Sequence, residues 1–213
     1  MYSLKSPVGS LYLSDSITIT SASAVGSSTT ISHLKVELPS IYRFISGGGI
    51  MRQFARDNKM RMEQFRAHLL KSGNESYDRR VDGMQEQFGL QNFTVTESRL
   101  AHYFIPFAYH ILLICPLEVR AERRAKDKGL SVEMIAEEIA QRDHDDEECY
   151  RRLYGDSCIW SPEKFDLVID THINKPPSVV TNILEGHARW KEKTVSKLCH
   201  DISLRWELLC QKK

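Results

Sequence analysis

The sequence predicts an α/β fold in which helices cover both faces of a parallel sheet, forming a three-layer sandwich. Short apolar runs alternate with longer segments of helical periodicity, which is typical of parallel strands joined by helices. The run Tyr109–Cys115 is almost continuously apolar, as expected for a strand that is covered on both faces. A chain of 213 residues can bury one sizeable core and carry appendages.

The elements are expected in alternating order along the chain. Strands or extended pieces are predicted at Ile17–Thr20, Tyr42–Ile45, Phe93–Thr96, Tyr109–Cys115 and Phe165–Ile169. Helices are predicted at Thr29–Leu38, Ile50–Arg56, Met62–Leu70, Asp78–Phe88, Leu117–Asp127, Val132–Tyr150 and from Pro177 onward. Pro39 ends the first helix because proline cannot continue it. Ligands bind at the carboxyl ends of such strands, so the residues that follow each strand are the candidate site.

Composition excludes several classes of function. Hydrophobic residues make up 41% and charged residues 27% of the chain, which is ordinary for a globular protein. A net charge of +1 gives no support for nucleic-acid binding or for a membrane surface, and no apolar run reaches the roughly 20 residues that span a bilayer. The five scattered cysteines lack CxxC spacing and indicate reduced thiols. We expect a cytoplasmic protein, with an organelle left open.

The segment after the first strand has the layout of a phosphate-binding loop. In such loops, backbone N–H groups and the positive end of a helix face an anion. The usual pattern is G-x-x-x-x-G-K-S/T. Here Ser21 stands at the first glycine, Ser27 at the lysine and Ser28 at the hydroxyl. A plain turn followed by Gly26 as a helix start remains an alternative, so this segment does not decide the function alone.

Two arginines follow closely behind predicted strands. Arg52 comes after the second strand and Arg99 after the third. Burying an arginine costs free energy unless the charge is paired. Each is therefore either a clamp for an anionic ligand or a salt-bridged structural residue.

Several motifs in order resemble the nucleoside monophosphate kinases, specifically the short cytidylate kinases of the archaeal type. Cys115–Arg123 matches that family's P-L-E-V-R-A-E-R almost letter for letter, and Ile45–Arg52 resembles its V-S-(A/S)-G-(D/E)-I-F-R. Glu97–Leu100 resembles E-G-R-L, and Phe165–Thr171 resembles Y-D-L-V-I-D-T. The resemblance extends from about residue 17 to about residue 184 and implies a P-loop nucleotide kinase-like fold.

The resemblance also implies ATP-dependent phosphoryl transfer to CMP or dCMP, with Mg²⁺. Donor nucleotide binding is implied for Ser21, Ala24, Val25, Gly26, Ser27, Ser28, Thr29 and Arg120. Acceptor binding is implied for Ser46, Arg52, Asp82 and Arg99. Catalysis is implied for Arg52, Arg99, Arg123 and Arg142. Ser28 is the expected Mg²⁺ ligand, with Thr29 as the alternative.

Departures from the family pattern leave a second hypothesis open. The archaeal branch often has a hydroxyl residue in place of the loop lysine, as Ser27 is here. Ser21 and Ala24, however, replace loop glycines, and the run Asp145–Glu148 places acids in the lid, where they would repel phosphate. Cys149 stands where the family tends to have arginine. The chain is therefore either an active kinase or a catalytically degenerate member that serves as an accessory subunit.

We predict three parts of the chain. Residues 1–15 form an N-terminal extension, and residues 16–185 form a kinase-like domain with acceptor helices at about 46–90 and a lid at about 125–155. Residues 186–213 form a C-terminal helical extension with an apolar stripe. Members of this stripe are Val180, Ile183, Leu184, His187, Val195, Leu198, Ile202, Trp206 and Leu209. The stripe either folds back on its own domain or, with Trp190, Trp206 and Leu209, docks a protein partner.

Overall fold

A computed structural model describes residues 15–72, 75–155 and 159–210, with side chains described as far as residue 197 except at residue 70. The described residues contain one sheet with strand order β2-β3-β1-β4-β5, and every neighbouring pair is parallel. The strands are β1 (Ile17–Ser21), β2 (Arg43–Ser46), β3 (Thr94–Ser98), β4 (Tyr109–Ile114) and β5 (Leu167–Asp170). The predicted fold class is confirmed.

The predicted helices form close to their expected positions. They are α1 (Ser27–Glu37), α2 (Gly47–Asp57), α3 (Met62–Ser72), α4 (Ser76–Gly89), α5 (Ala101–Phe104), α6 (Leu117–Lys128), α7 (Val132–Tyr154) and α8 (Pro176–Cys210). Helix α5 and a 3-10 turn at Pro162–Lys164 were not predicted, because such short elements leave no periodic pattern. None of the described helices is long and apolar enough to cross a bilayer.

The central strand β1 is buried on both faces, and its two faces differ in chemistry. Ile17 and Ile19 are fully buried among residues of α1 and α8, including Leu34 and Ile183. On the opposite face, Thr20 Oγ1 forms a hydrogen bond of 3.2 Å with Nδ1 of His102 in α5. Burial of each large aliphatic side chain contributes about 1.5–3 kcal/mol. The apolar face is therefore the main source of stability.

Two smaller apolar clusters flank the carboxyl end of the sheet. One joins α2, α3 and α4 through residues that include Phe54 and Phe65. The other joins α6 and α7 through Ala121 and Ile139. These clusters hold the predicted acceptor helices on one side and the predicted lid on the other.

The first part of α8 packs onto its own domain. Val180 and Ile183 are buried in the main core, and the Trp190 ring lies 5.8 Å from the Tyr109 ring. Lys191 forms an ion pair with Asp15. Trp190 is therefore partly buried against its own domain. The positions of the stripe at 198, 202, 206 and 209 lie outside the described side chains. The helix runs without a break through the expected boundary at residues 185 and 186.

Candidate active site

A cavity of about 400 Å³ lies at the carboxyl ends of β1, β2 and β3. Its lining comes from the loop after β1, the start of α2, helices α3 and α4, the segment after β3, and helices α6 and α7. The cavity is therefore at the sheet edge where ligands bind in parallel α/β folds.

The loop after β1 leads through two left-handed residues into helix α1. Gly26 caps α1 with φ +104°, and Ala24 has φ +61°. Such left-handed conformations suit glycine, and a residue with a Cβ pays about 1–2 kcal/mol to adopt them. Ser27 and Ser28, in the first turn of α1, line the cavity. The unsatisfied N–H groups and the positive end of this helix therefore lie beside the cavity.

Glu97 connects this loop to Ser46, the residue before α2. Its Oε1 accepts a hydrogen bond of 2.9 Å from Ser27 Oγ, and its Oε2 accepts one of 2.6 Å from Ser46 Oγ. Ser27 stands at the lysine position of the motif, so a hydroxyl bound to a carboxylate replaces the usual cation. In the sequence, Glu97 was identified only as the first residue of the E-G-R-L-like motif, without a role in the site.

The start of α2 is fixed by a helix cap and by the close packing of its first glycine against β3. Ser46 Oγ caps α2 by accepting a bond of 3.2 Å from Gly49 N. A Cβ on Gly47 would lie 2.9 Å from Ser98 Cβ and 3.1 Å from Gln85 Nε2. Helix α2 therefore begins at Gly47, the first residue of the glycine run, and not at Ile50 as predicted. This start places Arg52 in the cavity lining.

Five arginines from separate segments line the same cavity: Arg52 of α2, Arg66 of α3, Arg99 after β3, Arg124 of α6 and Arg142 of α7. Arg66 Nη2 lies 3.2 Å from Asp146 Oδ1, and Arg99 also pairs with Asp146. Arg124 Nη2 lies 2.8 Å from Glu138 Oε1. These pairs hold three of the five guanidinium groups in place.

Arg142 differs from these three, and also from Arg52, which is exposed on α2. No ion pair to it is found among residues 15–72, 75–155 and 159–210, and its Nε is buried without a hydrogen-bond partner there. Burial is the main cause that lowers its pKa to about 9, and the nearby charges of Arg99, Arg66 and Arg124 contribute to the same shift. A buried cation among other cations is costly unless an anion joins it. The cavity is therefore suited to a phosphate-bearing ligand.

Two predicted arginines lie outside the lining. Arg120 Nη1 donates to Ser23 O at 3.0 Å and pairs with Asp143 Oδ2 at 2.7 Å, so it supports the loop. Arg123 Nη2 donates to Thr171 O at 2.8 Å. Arg124, which was not predicted, lines the cavity instead. Helical periodicity could not separate these positions, because residues three and four after Arg120 both lie on its side of the helix.

The other predicted residues divide as follows. The lining includes Ser21, Ala24, Ser27, Ser28, Ser46, Arg52, Asp82, Arg99 and Arg142. It does not include Val25, Gly26 or Thr29. Val25 connects the loop to the residue after β5, since its carbonyl accepts a hydrogen bond of 2.6 Å from Thr171 Oγ1. Thr29 is exposed on α1.

Helix α4 contributes two carboxyl groups, Asp78 and Asp82, to the lining. Burial raises the pKa of both, in the case of Asp82 to about 6. The Tyr154 hydroxyl donates a hydrogen bond to Asp82. These acids are one turn apart and so share a face of the helix. They give this part of the cavity hydrogen-bond acceptors rather than cations.

Fold and site together define the class: a P-loop kinase fold with an arginine-lined cavity beside a helix N-terminus. A gluconokinase from Sinorhizobium meliloti has a similar structure, with a TM-score of 0.55 and 14% identity over 85% of this chain and 96% of that chain. A shikimate kinase from Bacteroides thetaiotaomicron has a TM-score of 0.52 and 11% identity over 83% of this chain and 96% of that chain. At such identities the likeness shows the fold alone.

The chain belongs to the cytidylate kinase-like family, whose sequence model matches residues 17–173. A cytidylate kinase of Pyrococcus horikoshii is 33% identical over 166 residues, which cover 78% of this chain and 85% of that protein. A cytidylate kinase of Methanosphaera stadtmanae is 31% identical over 174 residues, covering 80% of this chain and 98% of that protein. The resemblance predicted from the motifs is confirmed.

Proposed function

We propose that this protein transfers the γ-phosphoryl group of ATP to CMP or dCMP in the cytoplasm. One observation carries the proposal: five arginines from five segments line one cavity beside the N-terminus of α1, and the buried Arg142 Nε has no partner within the described part of the chain. Membership of the cytidylate kinase-like family supports the choice of acceptor.

The loop residues fit the phosphates of a donor nucleotide. Ala24 and Gly26 hold the backbone in the left-handed turns that direct the first N–H groups of α1 toward the cavity. The Ser28 hydroxyl lies in the lining and is of the type that binds Mg²⁺ in these loops. Mg²⁺ held by Ser28 would supply positive charge that neutralises the phosphates.

The acceptor would bind between α2, α4 and the segment after β3. Arg52 and Arg99 are assigned to its phosphate, because a planar guanidinium group matches phosphate oxygens. Asp78 and Asp82 supply acceptors of the kind that pair with the amino group of cytosine. An amino group on the base would thus select cytidine over uridine nucleotides.

The chain's own residues would then act mainly by position and charge. Phosphoryl transfer needs two phosphates in line, neutralised charge and little water. Arg142 and Arg124, on α7 and α6, would contact the transferring group from the lid side. The lid would also exclude water, which limits hydrolysis of ATP.

The test is ADP formation by the purified protein with ATP and Mg²⁺, using CMP, dCMP, UMP and AMP in turn. We expect CMP- or dCMP-dependent ADP formation, which Arg142→Met abolishes. The control is Arg189→Met, which removes an exposed arginine that pairs with Glu185 on α8. Absence of ADP formation with every acceptor would overturn the proposal.

A second candidate is a catalytically degenerate accessory subunit. It is favoured by one observation: Glu97 places a carboxylate beside Ser27, where most kinases of this fold have the lysine cation. A partner would then dock on the later part of α8. Truncation after Lys197 keeps Trp190 and the core contacts of α8. We would compare the oligomeric state, the stability and the ADP formation of this variant with those of the full chain. If both are monomers and the other two quantities are equal, the second candidate is excluded.

A further inference from the structure

Asp146 lies where an anionic ligand would be expected. It belongs to α7, it is 8% exposed, and it lines the cavity. Its two carboxylate oxygens contact arginines from different elements, Arg66 of α3 at 3.2 Å and Arg99 after β3. A single carboxylate thus connects the lid helix to the acceptor side.

In this arrangement, carboxylates of the protein itself balance the charge of Arg99 without a ligand. Arg99 is deeply buried, and burial lowers its pKa, so it needs a counterion. Asp146 supplies that counterion, and Asp143 Oδ1 adds a weaker contact at 3.7 Å. Arg120 holds Asp143 at 2.7 Å, so Asp143 stays near the loop when Asp146 moves.

A phosphate and the Asp146 carboxylate cannot both occupy the space between these arginines. Two adjacent anions repel each other, and a phosphate between Arg66 and Arg99 would need the nitrogens that Asp146 contacts, Arg66 Nη2 and Arg99 Nη1. Binding of a phosphate at these two nitrogens therefore displaces Asp146. Arg142, one turn before Asp146 on α7, remains available to the ligand.

We propose that Asp146 is an internal competitor for the phosphate of the acceptor nucleotide. In the unliganded protein, Asp146 forms ion pairs with Arg66 and Arg99. Binding of the acceptor breaks these pairs. This inference rests on the proposed function, because the proposed function assigns Arg99 to the acceptor phosphate. It predicts that wild-type protein binds acceptors more weakly than the arginines alone would allow.

The test is calorimetric binding of CMP and of cytidine, which lacks the phosphate, to wild type and to Asp146→Asn. If nine in ten unliganded molecules hold the pair, its removal lowers the apparent Kd about tenfold. We therefore expect Asp146→Asn to bind CMP about tenfold more tightly and cytidine with unchanged affinity. The matched control is Asp145→Asn, because Asp145 lines the same cavity but accepts its hydrogen bond from Gln141 at 2.8 Å.

Each outcome decides between the explanations. Equal CMP affinity in wild type and Asp146→Asn overturns the inference and leaves the kinase proposal intact. Equal tightening by Asp145→Asn also overturns it, since the effect would then be general cavity charge. If neither wild type nor variant binds CMP, both proposals fail.

A second pair of variants guards against misfolding of Asp146→Asn. Arg66→Gln removes one of the two cations, so Arg66→Gln/Asp146→Asn leaves one arginine without its carboxylate. We expect the double variant to bind CMP more tightly than Arg66→Gln alone. Equal or weaker binding by the double variant would contradict the inference.

Discussion

The loop after β1 and the lid helix α7 both depart from the family pattern, but the departures have different consequences. In the loop, Ala24 and Gly26 adopt left-handed conformations directly before the N-terminus of α1. In α7, Asp146 of the acidic run forms an ion pair with Arg99, which the resemblance reserves for the acceptor nucleotide. A site made by the backbone tolerates changed side chains at a modest energetic cost. A site made by charges is altered by each new carboxylate.

The largest expected effect is on the charged side of this comparison. Arg142→Met removes a buried cation that has no carboxylate partner among the described residues, and loss of one cation at the transferring group costs about 10³–10⁵-fold in kcat. Steady-state ADP formation measures this effect. Thermal unfolding should change little, because removal of a buried, unpaired charge also removes its desolvation cost.

Arg123→Met is the matched comparison on the neighbouring helix. Its guanidinium donates to the Thr171 carbonyl, so the variant should lose about 1.5–3 kcal/mol of stability. Its kcat should fall much less than that of Arg142→Met. A loss of kcat as large as for Arg142→Met would show that Arg123 reaches the ligand after all.

A second effect tests the close backbone approach at α2. Gly47→Ala should destabilise the protein by about 1–3 kcal/mol, since its Cβ would lie 2.9 Å from Ser98 Cβ. Gly83→Ala in α4 is the control, because nothing lies within 4 Å of a Cβ there. It should gain up to about 1 kcal/mol from helix propensity. Denaturant unfolding of both variants checks this, and equal effects would contradict the account.

A third effect concerns pH and Asp82. The folded protein holds this proton up to about pH 6, whereas the ordinary pKa is 3.8. Between these values the folded state binds more protons, so this group's contribution makes stability fall as pH rises. Asp82→Asn should therefore stabilise the protein by about 2 kcal/mol at neutral pH and by almost nothing near pH 4. Urea unfolding across this range measures it, and a gain that does not vary with pH would be contrary to expectation.

The smallest effect concerns the loop backbone. Ala24→Gly removes the cost of φ +61° for a residue with a Cβ, but glycine loses more chain entropy on folding. We expect a net gain of at most about 1 kcal/mol in the free energy of unfolding, with ATP affinity retained. Calorimetric unfolding checks the gain, and a clear loss of stability would show that the loop does not adopt this turn.

Sequence reasoning predicted the fold class because period-two and helical patterns are local properties. The start of α2 was missed, since glycines have low helix propensity and the helix is fixed by the Ser46 cap and the contact with Ser98. The strand order was not predicted, because nothing local specifies which strands are neighbours.

The site was predicted best where residues follow strands. Arg52 and Arg99 were found in this way, and both line the cavity. Arg66 and Asp146 were missed because they lie inside helices, where position along the chain gives no signal. The acidic run of α7 was interpreted only as repelling phosphate, whereas Asp146 also pairs with arginines across the cavity.

The most direct test is a crystal structure with a bisubstrate analogue in which cytidine and adenosine are joined by a chain of phosphates. The account predicts phosphate oxygens within hydrogen-bond distance of Arg99 and Arg142, with Asp146 released from Arg99. An analogue bound elsewhere, with the Asp146 pairs intact, would contradict it.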